Sequence, residues 1–272
     1  MSAGQHNGAY RVVLTGATGG LGQHFALALA PACSAMLLVG RDADKLAALR
    51  QRLKSSHPDL LVEGVAADLG SEAGRSQVFA AAQGLLGSVN LLVNNAGITD
   101  FHVFAEQRSE VIESLLTTNL LSPILLCQTF LPLLLAQPAA QIVNIGSVFG
   151  DIGYPGFAAY CASKFGLRGF TQALRRELSD SALRVRYFAP RATRTGLNSA
   201  AVDAMNAELK TQVDAPQQVA ASFMAFLASD QNERILGWPE RFYVALNRLR
   251  SQITDQAIGK QLAVIKRYLP HA

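Results

Sequence analysis

The chain has little with which to cross-link itself or hold a metal. Its cysteines are three, Cys33, Cys127 and Cys161, far apart and without a Cys-x-x-Cys pair. That odd, scattered set excludes a disulfide framework. The histidines, His6, His24, His57, His102 and His271, lack metal-ligand spacing, so no metal is expected. Aromatic residues are only 7 % of the chain, against 50 % hydrophobic residues overall. A core rich in Ala, Leu and Val suits helices packed on a parallel sheet better than a β-sandwich. Long apolar runs are also missing. The densest, Leu115 to Leu135, is broken by Asn119, Ser122, Pro123, Gln128 and Pro132, and is not read as a membrane span. Residues Met1 to Tyr10 lack the apolar segment of a secretory leader, and the cytoplasm is the expected compartment.

Charge is scarce too, at 16 % of residues, but it is unevenly placed. From Arg234 onward there are seven basic residues against Glu240 and Asp255, a surplus of five within a net charge of +4. The rest of the chain is therefore close to neutral, at −1. A basic tail can meet an anionic surface. No helix-turn-helix or RNA-binding signature accompanies it, so no nucleic-acid partner is expected.

What is present is alternation. Short apolar runs at Arg11–Leu14, Ala35–Val39, Leu60–Ala66, Asn90–Val93, Gln141–Ile145 and Arg184–Phe188 read as strands. Helical patterns lie between them: Leu21–Ala30, Asp44–Lys54, Gln77–Leu86, Glu110–Leu121, a further helix ending near Leu135, Ala158–Leu178 and then Pro216–Leu227. Repeated strand–helix–strand units imply parallel strands joined by crossovers. The expected fold is a single doubly wound Rossmann-type α/β domain, with a mostly parallel sheet flanked by helices on both faces and ligands at the carboxyl ends of its strands. It spans residues 10–237, after a flexible N-terminus at 1–9. A lid is expected at about 191–215, where Leu197, Val202, Met205 and Leu209 suggest an apolar pocket. A basic amphipathic helical extension is expected at 238–272.

Two clusters carry chemistry. The first is Thr15-Gly16-Ala17-Thr18-Gly19-Gly20-Leu21-Gly22, between an apolar strand and a helix. Glycines there let backbone N–H groups approach a pyrophosphate at the helix N-terminus, and Thr18 adds a hydroxyl. The spacing fits both G-x-x-x-G-x-G and G-x-x-G-x-x-G. Where a carboxylate would hold a ribose 2′-OH, the second strand ends in Gly40 followed by Arg41. A guanidinium suits a 2′-phosphate, which favours NADP(H) and leaves NAD(H) as the alternative. In a plainer reading, Arg41 is solvated and Asp42 caps the next helix.

The second cluster is Tyr160 and Lys164, four apart on a helix and so on one face, with Ser147 at the end of the fifth strand. Reducing a carbonyl needs a proton donor beside the hydride donor. A free phenol has a pKa near ~10, and lowering it toward ~7 takes roughly 4 kcal/mol of phenolate stabilisation. A neighbouring ammonium and an oxidised nicotinamide can supply much of that. Ser147 can hydrogen-bond the substrate oxygen as charge develops.

With these residues in view, the chain resembles the short-chain dehydrogenase/reductase family, from about Arg11 to Leu236. Thr15 to Gly22 resembles its TGxxxGxG; Asn94-Asn95-Ala96-Gly97 resembles its NNAG turn and points to the compact branch. The resemblance implies a catalytic set of Asn119, Ser147, Tyr160 and Lys164. It implies cofactor contacts at Gly16, Thr18, Gly20, Leu21, Gly22, Arg41, Asp68, Leu69, Asn95, Ala96, Tyr160, Lys164, Thr193 and Thr195. The implied reaction is hydride transfer between a nicotinamide and a carbonyl or alcohol. Tyr160 gives the proton, Lys164 holds the ribose and lowers the Tyr pKa, and Asn119 with water refills the proton. The implied assembly is a homo-oligomer, dimer or tetramer.

The chain departs from the family pattern in three places. Gly19 stands where NADP-preferring members often carry Arg or Lys. Pro190-Arg191 replaces Pro-Gly, so that Arg191 narrows the site, pairs with an acidic substrate or points to solvent. Leu236-Gly237-Trp238-Pro239 leads into an extra tail in place of the usual Asp-Gly-Gly end. Phe242, Leu246 and Leu249, then Ile258, Leu262 and Ile265, recur there at helical spacing. Packing on the core or a partner subunit is favoured for that tail, with peripheral membrane contact as the alternative. A 3-oxoacyl or fatty-acyl thioester reductase and a non-catalytic dinucleotide-binding sensor or scaffold are the rival functions.

Overall fold

The computed structural model describes residues 9–270; residues 1–8 of the expected flexible N-terminus, with His6, and His271 lie outside the described residues. Seven strands form one sheet in the order β3-β2-β1-β4-β5-β6-β7, every neighbouring pair parallel. The strands are β1 (Tyr10–Thr15), β2 (Cys33–Gly40), β3 (Leu61–Ala66), β4 (Leu91–Asn94), β5 (Ala140–Ile145), β6 (Leu183–Ala189) and β7 (Glu233–Ile235). The expected sheet is thus wholly rather than mostly parallel. β7 was not visible in sequence, because its three residues carry two charges and no apolar run.

Side chains on one strand alternate between two apolar layers. Val12 and Leu14 of β1 join Phe25 of α1 (Gly20–Leu29), Leu46, Leu49 and Leu53 of α2 (Ala43–Ser56), and Phe223 and Phe226 on the α8 helix, Pro216–Leu227. Val13, between them, points the other way. It joins Val78 and Leu86 of α3 (Glu72–Leu86), and Leu126, Phe130 and Leu134 of α5 (Ser122–Leu135). β4 and β5 are buried along their whole length. Parallel strands need covering on both faces, and that covering is why they read as unbroken apolar runs.

Helices α4 (Ser109–Leu116) and α5 are joined without a break through a π turn at Thr117–Leu121. By length and composition the 109–135 stretch is apolar enough to cross a membrane. Here Leu126, Cys127, Phe130 and Leu134 use that apolar character to pack on the sheet. α6 (Ala158–Glu177) lies beside it. Asp42 caps α2 by accepting from the Lys45 N–H at 3.0 Å, as the plainer reading of that position expects.

After β6 come α7 (Ala200–Glu208), within the segment expected from sequence as a lid, then α8 and β7. Three further helices follow: α9 (Trp238–Leu249), α10 (Ser251–Gly259) and α11 (Leu262–Tyr268). The helical extension expected from sequence therefore breaks into three pieces. α11 docks on α7: Ile265 and Leu269 are buried with Val202 and Met205, and Glu208 takes Arg267 and the Tyr268 hydroxyl.

Candidate active site

The glycine turn is built on one side chain that sequence reasoning left out of the site. Thr15, buried at the end of β1, accepts the N–H groups of Asn95 and Ala96 at 2.9 and 3.0 Å. Asn95 returns the contact, donating Nδ2 to the carbonyls of Thr15 and Gly16. The two turns after β1 and β4 are thereby locked together. Gly16 adopts φ +62°, and a Cβ on it would come within 2.7 Å of Ala96 Cα. A Cβ on Gly22 would overlap the Gly16 carbonyl oxygen. One on Gly20 would lie 2.5 Å from Thr195, so the segment after β6 closes directly over the turn. Leu21 is half-buried against the core.

This cradle fits a dinucleotide: bare backbone at a helix N-terminus, at the carboxyl edge of the sheet, on either side of the β1–β4 pair. Toward the sheet's β3 edge an open cavity of about 640 Å³ is lined by Arg41, Ala67, Asp68, Gly70 and Thr117. Asp68 is exposed there and accepts the Gly70 N–H, while Leu69 is buried. Thr18 lies against Gly40, where a Cβ would meet its Oγ1 at 2.9 Å.

The second half of the site converges on the ends of β4 and β5. Asn119 sits in the π turn, wholly buried; a π turn swings one residue inward, out of helical register. Its Oδ1 accepts the Ile98 N–H at 2.9 Å, and its Nδ2 donates to the Ile98 carbonyl and to Ser163 Oγ. Lys164 Nζ donates to the Ile145 carbonyl at 3.0 Å and lies 5.7 Å from the Tyr160 ring centre. Ser147 starts a short 3-10 turn and accepts the Phe149 N–H.

A second residue missed in sequence, Tyr187, fills the space below. Its ring leaves no room for a Cβ at Gly146 or Gly150, and its hydroxyl faces the Ser147 N–H. Behind it, Asn94 donates to Asn144 and Asn144 to Thr171, both at 2.8 Å, a buried polar chain linking β4, β5 and α6. Polar residues inside otherwise apolar strands were the signal available for these.

Burial governs the ionisation of the protein alone. Tyr160 is pushed up to about 12, against a lowering hydrogen bond with Ser147. Lys164 is pushed down to about 8, also by burial. Burial alone therefore leaves the phenol weakly acidic, and the lowering expected from sequence calls for the oxidised nicotinamide as well as the Lys164 ammonium, which donates here to the Ile145 carbonyl. Around Tyr160 stand Phe149 and Phe157, with ring centres at 6.4 and 6.3 Å, and Phe101 and Tyr154 stack on these in turn.

Thr193 is buried and bonded to the Arg191 carbonyl. Arg191 does not point to solvent. It pairs with Asp214 at 2.7 Å and Glu240 at 3.1 Å, which raise its pKa and tie the segment after β6 to α9. Of the lid residues, Val202 and Met205 are buried and Leu209 partly so, while Leu197 is exposed. Among the described residues no cluster of His, Cys, Asp or Glu could hold a metal ion.

Residues 10–206 match the model of the short chain dehydrogenase family. The chain is 31 % identical over 241 residues to a dehydrogenase/reductase SDR family member 7B of Bos taurus, covering 84 % of this chain and 73 % of that one. To the 3-oxoacyl-[acyl-carrier-protein] reductase FabG of Aquifex aeolicus it is 30 % identical over 230 residues, 83 % of this chain and 92 % of the relative. A short chain dehydrogenase/reductase from Burkholderia phymatum in complex with NAD superposes with TM-score 0.81 at 22 % identity, covering 91 % and 95 %. A metagenomic short-chain oxidoreductase in complex with NADP does so with TM-score 0.70 at 27 % identity, covering 84 % and 97 %.

Proposed function

Because the chain belongs to the short-chain dehydrogenase family and is a dinucleotide-dependent oxidoreductase of the CH–OH/C=O type, we propose that Tyr160 is its general acid/base and that NADP(H) is its preferred coenzyme. The observation that carries this reading is the meeting of Ser147, Tyr160, Lys164 and Asn119 at the strand ends beside the glycine turn. There, a side chain on Gly97 would come 3.3 Å from Asn119 Oδ1 and 3.6 Å from Lys164 Nζ.

A bound nicotinamide supplies or takes the hydride, and in its oxidised form adds a positive charge. Tyr160 holds the proton that the carbonyl oxygen receives; its high intrinsic pKa keeps it protonated before turnover. Ser147 donates to the same oxygen. Lys164, poised near pH 8, binds ribose hydroxyls and favours the phenolate. Asn119 pins the Ile98 backbone and keeps open the space through which water returns the proton. Gly16, Thr18, Gly20, Leu21, Gly22, Asn95 and Ala96 would hold the pyrophosphate and nearer ribose, Asp68 and Leu69 the adenine, and Thr193 and Thr195 the carboxamide. Exposed Arg41, on the rim of the adenine-side cavity, supports 2′-phosphate recognition.

The aromatic wall of Phe101, Phe149, Tyr154 and Phe157 supports a partly apolar substrate of small to medium size. Likeness to the FabG reductase supports an acyl thioester as the second reading. A scaffold without turnover has no use for the four convergent polar groups. Exposed Leu121 and Phe165, on the long-helix face, support a homo-oligomer, and the three free cysteines suit a reducing compartment such as the cytoplasm. The test is a panel of ketones, aldehydes and acyl thioesters, followed by absorbance with NADPH and with NADH. Oxidation of NADPH by an apolar carbonyl is expected; inertness toward every carbonyl with both coenzymes would sink the reading.

A further inference from the structure

Helix α9 is mounted with its polar side toward the protein and its apolar side outward. On the inner side, Glu240 pairs with Arg191 at 3.1 Å, Asn247 donates to the Asp151 carbonyl at 2.8 Å, and Arg248 donates to Asp151 Oδ1 at 2.7 Å. A single apolar side chain of this helix, Val244, is fully buried, against Val148 and Ile152. The outer side carries Trp238, 74 % exposed, Phe242 at 55 % and Leu249 at 83 %. At 100° per residue these three and Ala245 fall within an arc of about 60°. Tyr243 and, on α10, Ile253 extend the exposed patch. Ordinary surface helices are arranged the other way round, because every exposed apolar Å² forgoes about 25 cal/mol of burial. A contiguous apolar ridge left outside by a helix that could have turned it inward marks a contact surface.

The charge around the ridge identifies what it meets. Arg241 borders the arc one helical step to its side, Arg250 follows directly on the helix end at Leu249, and both are exposed. Within the described part of the extension the carboxylates are Glu240, held by Arg191, and Asp255 on α10. A second copy docking by its own α9 about a two-fold axis would bring arginine against arginine, and the one carboxylate of that helix, Glu240, is already taken by Arg191. An anionic lipid surface offers phosphates to the arginines and acyl chains to the ridge. Trp, Tyr and Arg are the side chains suited to headgroup depth.

We propose that α9 lies in the plane of an anionic bilayer surface, with Trp238, Phe242 and Leu249 inserted and Arg241 and Arg250 on lipid phosphates. The inner face of the helix is fastened to Asp151, four residues after Ser147, and to Arg191 at the base of the lid. The docked enzyme would therefore hold its active site beside the lipid, whichever carbonyl it reduces.

Trp238 is the sole tryptophan, so its emission reports the contact directly. The full-length protein is mixed with vesicles of phosphatidylcholine and phosphatidylglycerol in equal parts, and with phosphatidylcholine alone. A blue shift and co-sedimentation are expected with the anionic vesicles and weakly, if at all, with the neutral ones. The double variant Phe242→Ser/Leu249→Ser and the double variant Arg241→Glu/Arg250→Glu should each lose about 10-fold or more in vesicle affinity. All four positions are exposed, and unchanged thermal midpoints would show that the variants fold. Absence of any shift or sedimentation with anionic vesicles overturns the proposal, as does undiminished binding by both variants. It is equally overturned if sedimentation velocity shows a wild-type dimer that Phe242→Ser/Leu249→Ser disperses while vesicles are ignored; the ridge would then belong to a second copy.

Discussion

The β1–β3 side and the β4–β6 side of the sheet bring different materials to the proposed site. On the first, the proposed binding surface is backbone: the glycine-rich turn at Gly16–Gly22, held by Thr15 and Asn95. On the second it is side chain: Asn119, Ser147, Tyr160 and Lys164, each fixed by a neighbour from another element. A pyrophosphate needs many N–H groups at short range, which only bare backbone can present. A proton transfer needs one group with a tuned pKa, which only a side chain can provide. The first side is consequently intolerant of added volume, the second of lost functional groups.

Removing the phenol is the sharpest way to separate the two. In Tyr160→Phe, turnover should fall about 1,000-fold while dinucleotide affinity changes by no more than about 3-fold. Near-normal turnover in the purified variant would remove Tyr160 from the chemistry. The converse change is Gly22→Ala. Its Cβ would overlap the Gly16 carbonyl, so folding stability should drop by about 1–3 kcal/mol and dinucleotide affinity by at least about 10-fold. Fluorescence titration and thermal unfolding read both effects, and intact affinity would show that the turn is not the binding surface.

Lys164 sharpens the comparison through pH. Its folded pKa of about 8 lies below the ordinary 10.5, so between those values the unfolded chain binds the extra proton. The folded state is therefore penalised below pH 8, and stability rises as pH climbs from 8 toward 10.5. Lys164→Met should be the more stable protein at pH 7, by about 2–3 kcal/mol in urea unfolding, and should lose most of that advantage by pH 10 and the rest above pH 10.5. An advantage independent of pH would mean that the buried ammonium is not its source. Smallest is Arg41→Ala, which should raise the KM for NADPH about 10-fold relative to that for NADH and leave kcat nearly unchanged. An unaltered ratio would place the 2′-phosphate elsewhere.

Much of this was legible in the linear chain. Six strands and their helices stand where hydrophobic periodicity puts them, and Pro216–Leu227 coincides with its helix to the residue. The glycine turn and the Tyr160–Lys164 pair were readable because each is a local pattern, within one turn or one helical repeat. Thr15, Tyr187 and the Asn94–Asn144–Thr171 chain were not, since their partners lie 27 to 81 residues away. The same is true of Arg191, whose carboxylate partners are 23 and 49 residues distant.

By itself the sequence determined the alternation of strand and helix, the bare backbone at the first turn and the phenol–ammonium pair. All three follow from steric and spacing rules that act over a few residues. It also set the basic surplus of the extension, whose described residues form α9, α10 and α11. Only the tertiary structure decided which way α9 faces, where Lys164 directs its charge and what holds Arg191. Those outcomes depend on which distant groups can satisfy a buried charge or carbonyl, and the polar side of α9 found such partners in Asp151 and Arg191 while its apolar side found none.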